Sequence, residues 1–206
     1  VKLNVLSATN NTNNAISDTD LSFICVGTPS NENGSLDLRF VENVCRQIGF
    51  AIGQKKSYHT VVMRSTMLPG SMQNIVIPIL ESTSGLSAGK DFGVCINPEF
   101  LREGTAISDY FNPAKTVIGE LDSKSGDLLL QLYASLDAPL IRSDIATVEM
   151  VKYSDNCWHA LKICFANEIG NFCKAAGIDS HEVMDIFVQD KKLNLSSYYM
   201  KPGFAF

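Results

Sequence analysis

Leu21-Ser22-Phe23-Ile24-Cys25-Val26-Gly27-Thr28-Pro29-Ser30 is the stretch whose reading decides the fold. Its first six residues are dominated by apolar, β-branched and aromatic side chains, and Gly27 to Ser30 closes the run. A run apolar on both faces suits a central strand of a parallel sheet covered on each side by helices. Downstream, Leu38, Val41, Val44, Cys45, Ile48, Ala51 and Ile52 recur at spacings of three and four, the pattern of an amphipathic helix packed on that sheet. Thr60 to Met63 reads as a second strand running into Arg64-Ser65-Thr66 and Pro69-Gly70, followed by a helix over Met72 to Glu81. Phe92 to Ile96 reads as a third strand ended by Asn97-Pro98, with a helix expected over Glu99 to Ile107. Strands at Thr116 to Ile118 and Leu140 to Ile141, with a helix over Ser125 to Ser135 between them, complete the rhythm.

Strand and helix in alternation predict an α/β fold: a doubly wound parallel sheet with right-handed crossovers, a partial Rossmann-type domain. Ligands of such sheets bind beyond the carboxyl ends of the strands, so the three loops after the first three strands are where chemistry is sought. Small and polar residues also make ordinary turns, and one such loop alone would carry no functional meaning.

The 206 residues include 17 basic and 22 acidic side chains, a formal charge of −5, with 45% hydrophobic and 19% charged residues. That composition supports a folded core and excludes a disordered chain. It also argues against nucleic-acid binding or a polybasic membrane surface, both of which need clustered Lys and Arg. No run approaches the roughly 20 apolar residues of a membrane span, and Val1 to Asn14 has no apolar signal core, so a cytoplasmic protein is expected. Six cysteines sit within apolar runs, with no CxxC pair and no Cys/His cluster. Buried free thiols in a reduced compartment are expected, and a metal site is not.

The sheet pattern stops near Arg142, which divides the chain into residues 1–142 and 143–206. From Ala146 to Ala176 one helical pattern runs uninterrupted, with Val151, Trp158, Leu161, Phe165, Ile169, Phe172 and Ala176 along a stripe and Gly177 as the stop. A helix that long, about 45 Å, bridges domains or builds a subunit interface. Asp179 and Glu182 form a capping pair for a short helix beyond it.

Two pairs carry candidate chemistry. Glu99 and Glu103, four apart at the start of an expected helix, would project from one helix face, where paired carboxylates can hold a water and take its proton. First-turn acids also simply complement a helix dipole, and Arg102 could pair with either. Lys152 and Asn156 repeat the spacing on the long helix, and an ammonium beside an amide suits stabilising an oxyanion or alkoxide. A solvated polar face would look the same. No GxGxxG fingerprint is present.

Taken in order, Phe23 to Ser30, Arg64-Ser65-Thr66 with Pro69-Gly70, Asn97-Pro98-Glu99-Phe100-Leu101-Arg102-Glu103, Lys152-Tyr153 with Asn156, and Pro202-Gly203-Phe204-Ala205-Phe206 resemble the UDP-glucose/GDP-mannose dehydrogenase family. Those enzymes use NAD to oxidise a hexose primary alcohol to a carboxylate. Lys192 to Phe206 resembles the branch that oxidises GDP-mannose for alginate synthesis. The resemblance implies that Gly27, Thr28 and Pro29 line the NAD site, with Ser65 and Thr66 near the nicotinamide and the reacting alcohol. It gives Glu99 and Glu103 roles in hydrolysis and sugar positioning, and Lys152 and Asn156 the stabilisation of oxygen-centred charge. Asn194, Tyr198, Tyr199, Met200, Lys201 and Phe204 would grip the nucleotide sugar, and a homodimer through the long helix is implied. The family more often has Arg where this chain has Lys201, which implies a looser diphosphate contact.

The family's dinucleotide fingerprint and its catalytic cysteine lie outside Val1 to Phe206, and none of the six cysteines has the matching context. The chain is therefore expected to be an internal fragment, inactive alone. A UDP-glucose or UDP-N-acetylhexosamine dehydrogenase shares every motif except details of Asn194 to Phe206. A truncated, non-catalytic dimerisation module is the alternative of another class.

Overall fold

The computed structural model describes residues 5–192, together with Met200, Pro202 and Gly203. The chain divides into two compact units, Val1–Ser154 and Asp155–Phe206. The first unit holds α1 (Thr12–Ser17), β1 (Leu21–Ile24), α2 (Arg39–Gln54), β2 (Thr60–Met63), a π-helical turn (Met72–Val76) continuing into α3 (Ile77–Ser84), and β3 (Gly93–Ile96). It goes on with α4 (Ala106–Phe111), β4 (Thr116–Glu120), α5 (Ser123–Tyr133), β5 (Leu140–Asp144) and the opening turns of α6 (Ile145–Ala176).

The five strands follow chain order across one sheet. β1, β2 and β3 are parallel, with Leu21 opposite Thr60 and Thr60 opposite Gly93. Successive residues of β2 point to opposite faces: Val61 and Met63 join the core under α2 and α3, while Val62 joins Cys95, Ile118, Leu129 and Tyr133 under α5. The amphipathic pattern of α2 buries Val41, Cys45, Ile48, Ala51 and Ile52, as its spacing requires.

Three local expectations are corrected. β4 runs antiparallel to β3, pairing Cys95 with Glu120 and Ile96 with Gly119, so the sheet is mixed rather than wholly parallel. An antiparallel neighbour needs no crossover. Residues 97–115 therefore stay at the carboxyl edge of β1 to β3. Second, the helix expected from Glu99 begins only at Ala106. Gly104 has φ +85°, in the left-handed region that interrupts a helix, and Arg102 is committed to a bidentate pair with Asp109 rather than to Glu99 or Glu103. Third, half of the thiols are not core: all six cysteines are free, with Cys45, Cys95 and Cys173 buried and Cys25, Cys157 and Cys164 exposed. Burial pushes the Cys45 thiol up to about 12 and Cys95 to about 11.

α6 begins directly on the sheet. A Cβ added at Gly119 would lie 2.5 Å from Ile96 Cγ2, 2.9 Å from Val148 Cβ and 3.1 Å from Ile145 Cα, so only glycine admits the helix at that depth. Ile145, Val148, Glu149 and Lys152 are buried along this first stretch. In the second unit, α6 ends before Gly177, where the Ile178 N–H returns to Cys173 O at 2.9 Å. Asp179 then caps α7 (Ser180–Phe187) by accepting from His181 N at 2.9 Å, and Phe165 packs 5.5 Å from Phe187. Leu161 and Phe172 stay 57% and 73% exposed. No described helix is long and apolar enough to cross a membrane.

Candidate active site

Three loops meet at the carboxyl edge of β1 to β3, and hydrogen bonds tie the first to the second. Arg64 N and Ser65 N both donate to Ile24 O, at 3.0 and 3.2 Å. Ser65 Oγ donates to Val26 O at 2.6 Å, and Thr28 Oγ1 donates to Thr66 O at 2.9 Å. The Ser65 and Thr28 hydroxyls are thus spent on joining the loops. The Thr66 hydroxyl has no hydrogen-bond partner among the described residues, and Thr66 is only half-buried.

Below these loops a buried network sets the floor. Asn97, 1% exposed, receives Arg64 Nη1 at 2.6 Å and Tyr133 OH at 2.6 Å on its Oδ1, and donates its Nδ2 to Val117 O at 2.9 Å. Arg64 Nη1 also reaches Tyr133 OH at 3.1 Å. Burial raises the Tyr133 phenol, keeping it protonated and able to donate. A cavity of about 210 Å³ opens beside this network, lined among others by Arg64, Asn97, Glu99, Phe100, Lys115 and Tyr133.

The third loop meets α6. Lys152, buried, donates from Nζ to Glu99 O at 2.5 Å and to Glu99 Oε1 at 3.2 Å, and lies 5.4 Å from the Phe100 ring. The other oxygen of Glu99 accepts from Leu101 N at 2.7 Å. An ammonium has three N–H groups, and Glu99 takes two of them. Among the described residues the third is left without an acceptor.

The expected pairings are therefore only partly assembled. Glu99 and Lys152 touch, although they stand far apart in sequence. Glu103 is exposed in the turn before Gly104, away from the shared helix face expected for it. Asn156, four residues along α6 in the second unit, is exposed. Met200 is 54% exposed; Asn194, Tyr198, Tyr199, Lys201 and Phe204 lie outside the described residues.

Sequence reasoning missed two carboxyls. Asp37 accepts from Arg39 N at 3.1 Å at the start of α2, and the Arg39 side chain beside it lowers its carboxyl to about 2. Glu149, 1% exposed, accepts from Gly70 N at 2.7 Å and Met72 N at 2.9 Å, at the start of the π-helical turn. The signal for Glu149 was its charge inside Val148-Glu149-Met150-Val151, one turn before Lys152. With both of these helix starts met by internal carboxyls, neither offers its N-terminus to a phosphate.

The chemistry of the edge fits a dinucleotide approaching from above. A Cβ at Gly27 would meet nothing within 4 Å, so the backbone after β1 is open to close approach, and hydroxyl-bearing side chains line the second loop.

Residues 1–137 match the UDP-glucose/GDP-mannose dehydrogenase family, NAD binding domain, and residues 146–206 match the central domain of the same family. The GDP-mannose 6-dehydrogenase of Pseudomonas aeruginosa is 61% identical over 201 residues, covering 98% of this chain and 46% of that protein. A solved ternary complex of GDP-mannose dehydrogenase from the same organism superposes with a TM-score of 0.97 at 60% identity, over 100% of this chain and 47% of that one. A UDP-glucose dehydrogenase from Pyrobaculum islandicum gives a TM-score of 0.84 at 40% identity, over 89% and 42%. The chain thus spans about half the length of the relatives it matches.

Proposed function

This chain belongs to the UDP-glucose/GDP-mannose dehydrogenase family, and from that premise we propose that it forms part of an enzyme oxidising GDP-mannose to GDP-mannuronate. Two NAD and one water are consumed per turnover, and two NADH are formed. The observation that carries the reaction class is the contact between buried Lys152 and Glu99 at the sheet's carboxyl edge. The choice of nucleotide sugar rests on identity: 61% to a GDP-mannose 6-dehydrogenase, against 40% to a UDP-glucose dehydrogenase.

When bound over Gly27, Thr28 and Pro29, NAD supplies the hydride acceptor. The side chains of this chain supply part of the remaining work. Lys152 turns its third N–H to the sugar oxygen and stabilises the negative charge that develops there, its ammonium lying 5.4 Å from the Phe100 ring. Glu99 fixes the ammonium through both its carbonyl and its carboxyl, so the donor is already oriented when substrate arrives. Thr66, whose carbonyl is held by Thr28, takes the place near the nicotinamide and the reacting alcohol that the family resemblance gives it. The family resemblance gives Glu103 a part in sugar positioning, Asn156 a part in stabilising oxygen-centred charge, and Asn194, Tyr198, Tyr199, Met200, Lys201 and Phe204 the grip on the nucleotide sugar. Ser65 acts by joining the first two loops, beneath the nicotinamide. Dimerisation through α6 belongs to this reading, supported by its exposed Leu161 and Phe172.

The test is a chimera in which residues 1–206 replace the aligned segment of the P. aeruginosa GDP-mannose 6-dehydrogenase. NADH absorbance is followed with GDP-mannose and with UDP-glucose as alternative substrates. Steady NADH formation with GDP-mannose and little with UDP-glucose is expected. Preference for UDP-glucose would move the chain to the sibling activity, and a strictly monomeric sedimentation profile would remove the dimer.

A further inference from the structure

We propose that Glu149 is a positioning residue that holds the loop carrying Ser65 and Thr66 in register with Lys152. The proposal deepens the functional reading above and rests on it for the roles of Thr66 and Lys152. Glu149 is a charged side chain 1% exposed, on a stretch of α6 whose neighbours Ile145 and Val148 belong to the core. Burying a carboxyl there is costly unless both oxygens are satisfied. They are, and by one target: the N–H groups of Gly70 and Met72.

Met72 opens the π-helical turn, where the first N–H groups of a helix lack intrahelical acceptors, and Gly70 lies just before its cap residue Ser71. Helices usually fill that need locally, from a Ser, Thr, Asp or Asn at the cap. Ser71 occupies the cap position here and makes no such bond. The acceptor comes instead from α6, 77 and 79 residues further along the chain. A local cap would complete the helix without fixing it to anything else. The remote carboxyl fixes the far end of the loop to α6.

The near end of the same loop is already fixed by Ser65 and Thr28 on the first loop. Thr66 therefore sits in a segment held at both ends, and one of the two holds is Glu149. Three residues on from Glu149, on the neighbouring position of the same helix face, Lys152 holds Glu99. One turn of α6 thus ties the second loop, through Glu149, to the Lys152 ammonium that holds the third loop. Glu149 touches neither substrate nor cofactor in this reading; it acts through the backbone of Gly70 and Met72.

The experiment uses Glu149→Gln, Glu149→Asp and Thr28→Val. In the chain itself, amide hydrogen exchange is followed through residues 64–76 and through β2 and β3. Glu149→Gln turns one acceptor into an NH₂ facing a backbone N–H, so exchange across 65–72 should quicken about tenfold while the strands keep their protection. Glu149→Asp, which keeps two acceptors on a shorter stem, should fall between. In the chimera, Glu149→Gln should lower kcat about tenfold or more with KM for GDP-mannose within about threefold, and Glu149→Asp should recover part of it. Thr28→Val, which cuts the tie at the other end of the loop, should act in the same direction.

Unchanged exchange across 65–72 overturns the proposal, and so does a loosened loop with unaltered kcat. A uniform loss of protection in loop and strands overturns it as well, in favour of a plain structural role. A wild-type chimera that fails to oxidise GDP-mannose sinks the functional reading, while local loosening in the exchange experiment would still support the tether.

Discussion

The two ends of β2 each gather polar groups around a buried one, His59 at the start and Asn97 beyond the end, yet they are built to different purposes. At its start, His59, fully buried, places Nε2 2.8 Å from Ser22 Oγ and Nδ1 3.0 Å from Thr19 O and 3.2 Å from Lys55 Nζ. Lys55 in turn donates to Ile16 O at 2.8 Å and to Thr19 O. That cluster closes upon itself, with the lysine spent on backbone carbonyls, and it pins α1 and the end of α2 to the sheet. At the other end, Arg64 and Asn97 also satisfy one another and Ser65 is spent on Val26 O, but among the described residues the Thr66 hydroxyl and one N–H of Lys152 are left over. Buried polarity therefore does not mark a site. Unused hydrogen-bonding capacity at an open edge does.

The contrast can be broken most sharply from the site end. Lys152→Ala in the chimera should cut kcat roughly 100- to 1000-fold, the usual loss when one donor to a developing oxyanion is removed. His59→Gln should leave kcat within about twofold, because nothing it touches reaches the carboxyl edge. Equal losses from both would erase the distinction.

The closed end has its own signature, in pH. Burial, then the nearby Lys55 charge, lowers His59 from 6.5 to about 4. The unfolded chain binds the proton first as pH falls, so this contribution to stability is complete above pH 6.5 and is lost progressively down to about pH 4. Urea unfolding should show a decline on the order of 3 kcal/mol across that window, and His59→Gln should flatten it. A slope that survives the substitution would assign the effect to other groups.

Asn97 offers a third comparison, since it serves structure at the site end. Asn97→Ala leaves Arg64, Tyr133 and Val117 O short of partners and should cost about 2 kcal/mol in urea unfolding. No loss would mean that the network contributes shape alone. The smallest effect is expected where neither end is touched: Arg46→Ala removes an exposed pair with Glu42 on α2 and should cost about 0.4 kcal/mol.

Much of this was legible beforehand. Thr60 to Met63 was legible as a strand and the spacing from Leu38 to Ile52 as α2, because each pattern depends only on neighbouring side chains, whereas Leu21 to Val26, read as a central strand, lies at the end of the described sheet with Phe23 exposed, since strand order is set by pairing between distant segments. Glu99 and Lys152 were found as residue types, and the family resemblance supplied their roles. Their contact was not legible, since the helix on which Glu99 was expected is absent and the partner lies on another element. Glu149 escaped for the same reason: its acceptor oxygens answer amides in a loop distant in sequence.

The sequence by itself determined the alternation of strands and helices, which faces are apolar, the family and the loops where ligands are sought. Those follow from local periodicity and from motifs in order. The tertiary structure decided that β4 reverses, keeping residues 97–115 at the carboxyl edge, and that Gly119 admits α6 onto the sheet. It also decided which polar groups are spent and which are left to act. A hydrogen-bonding group is available only when its neighbours in space do not already use it, and the identity of those neighbours is fixed by packing between distant segments.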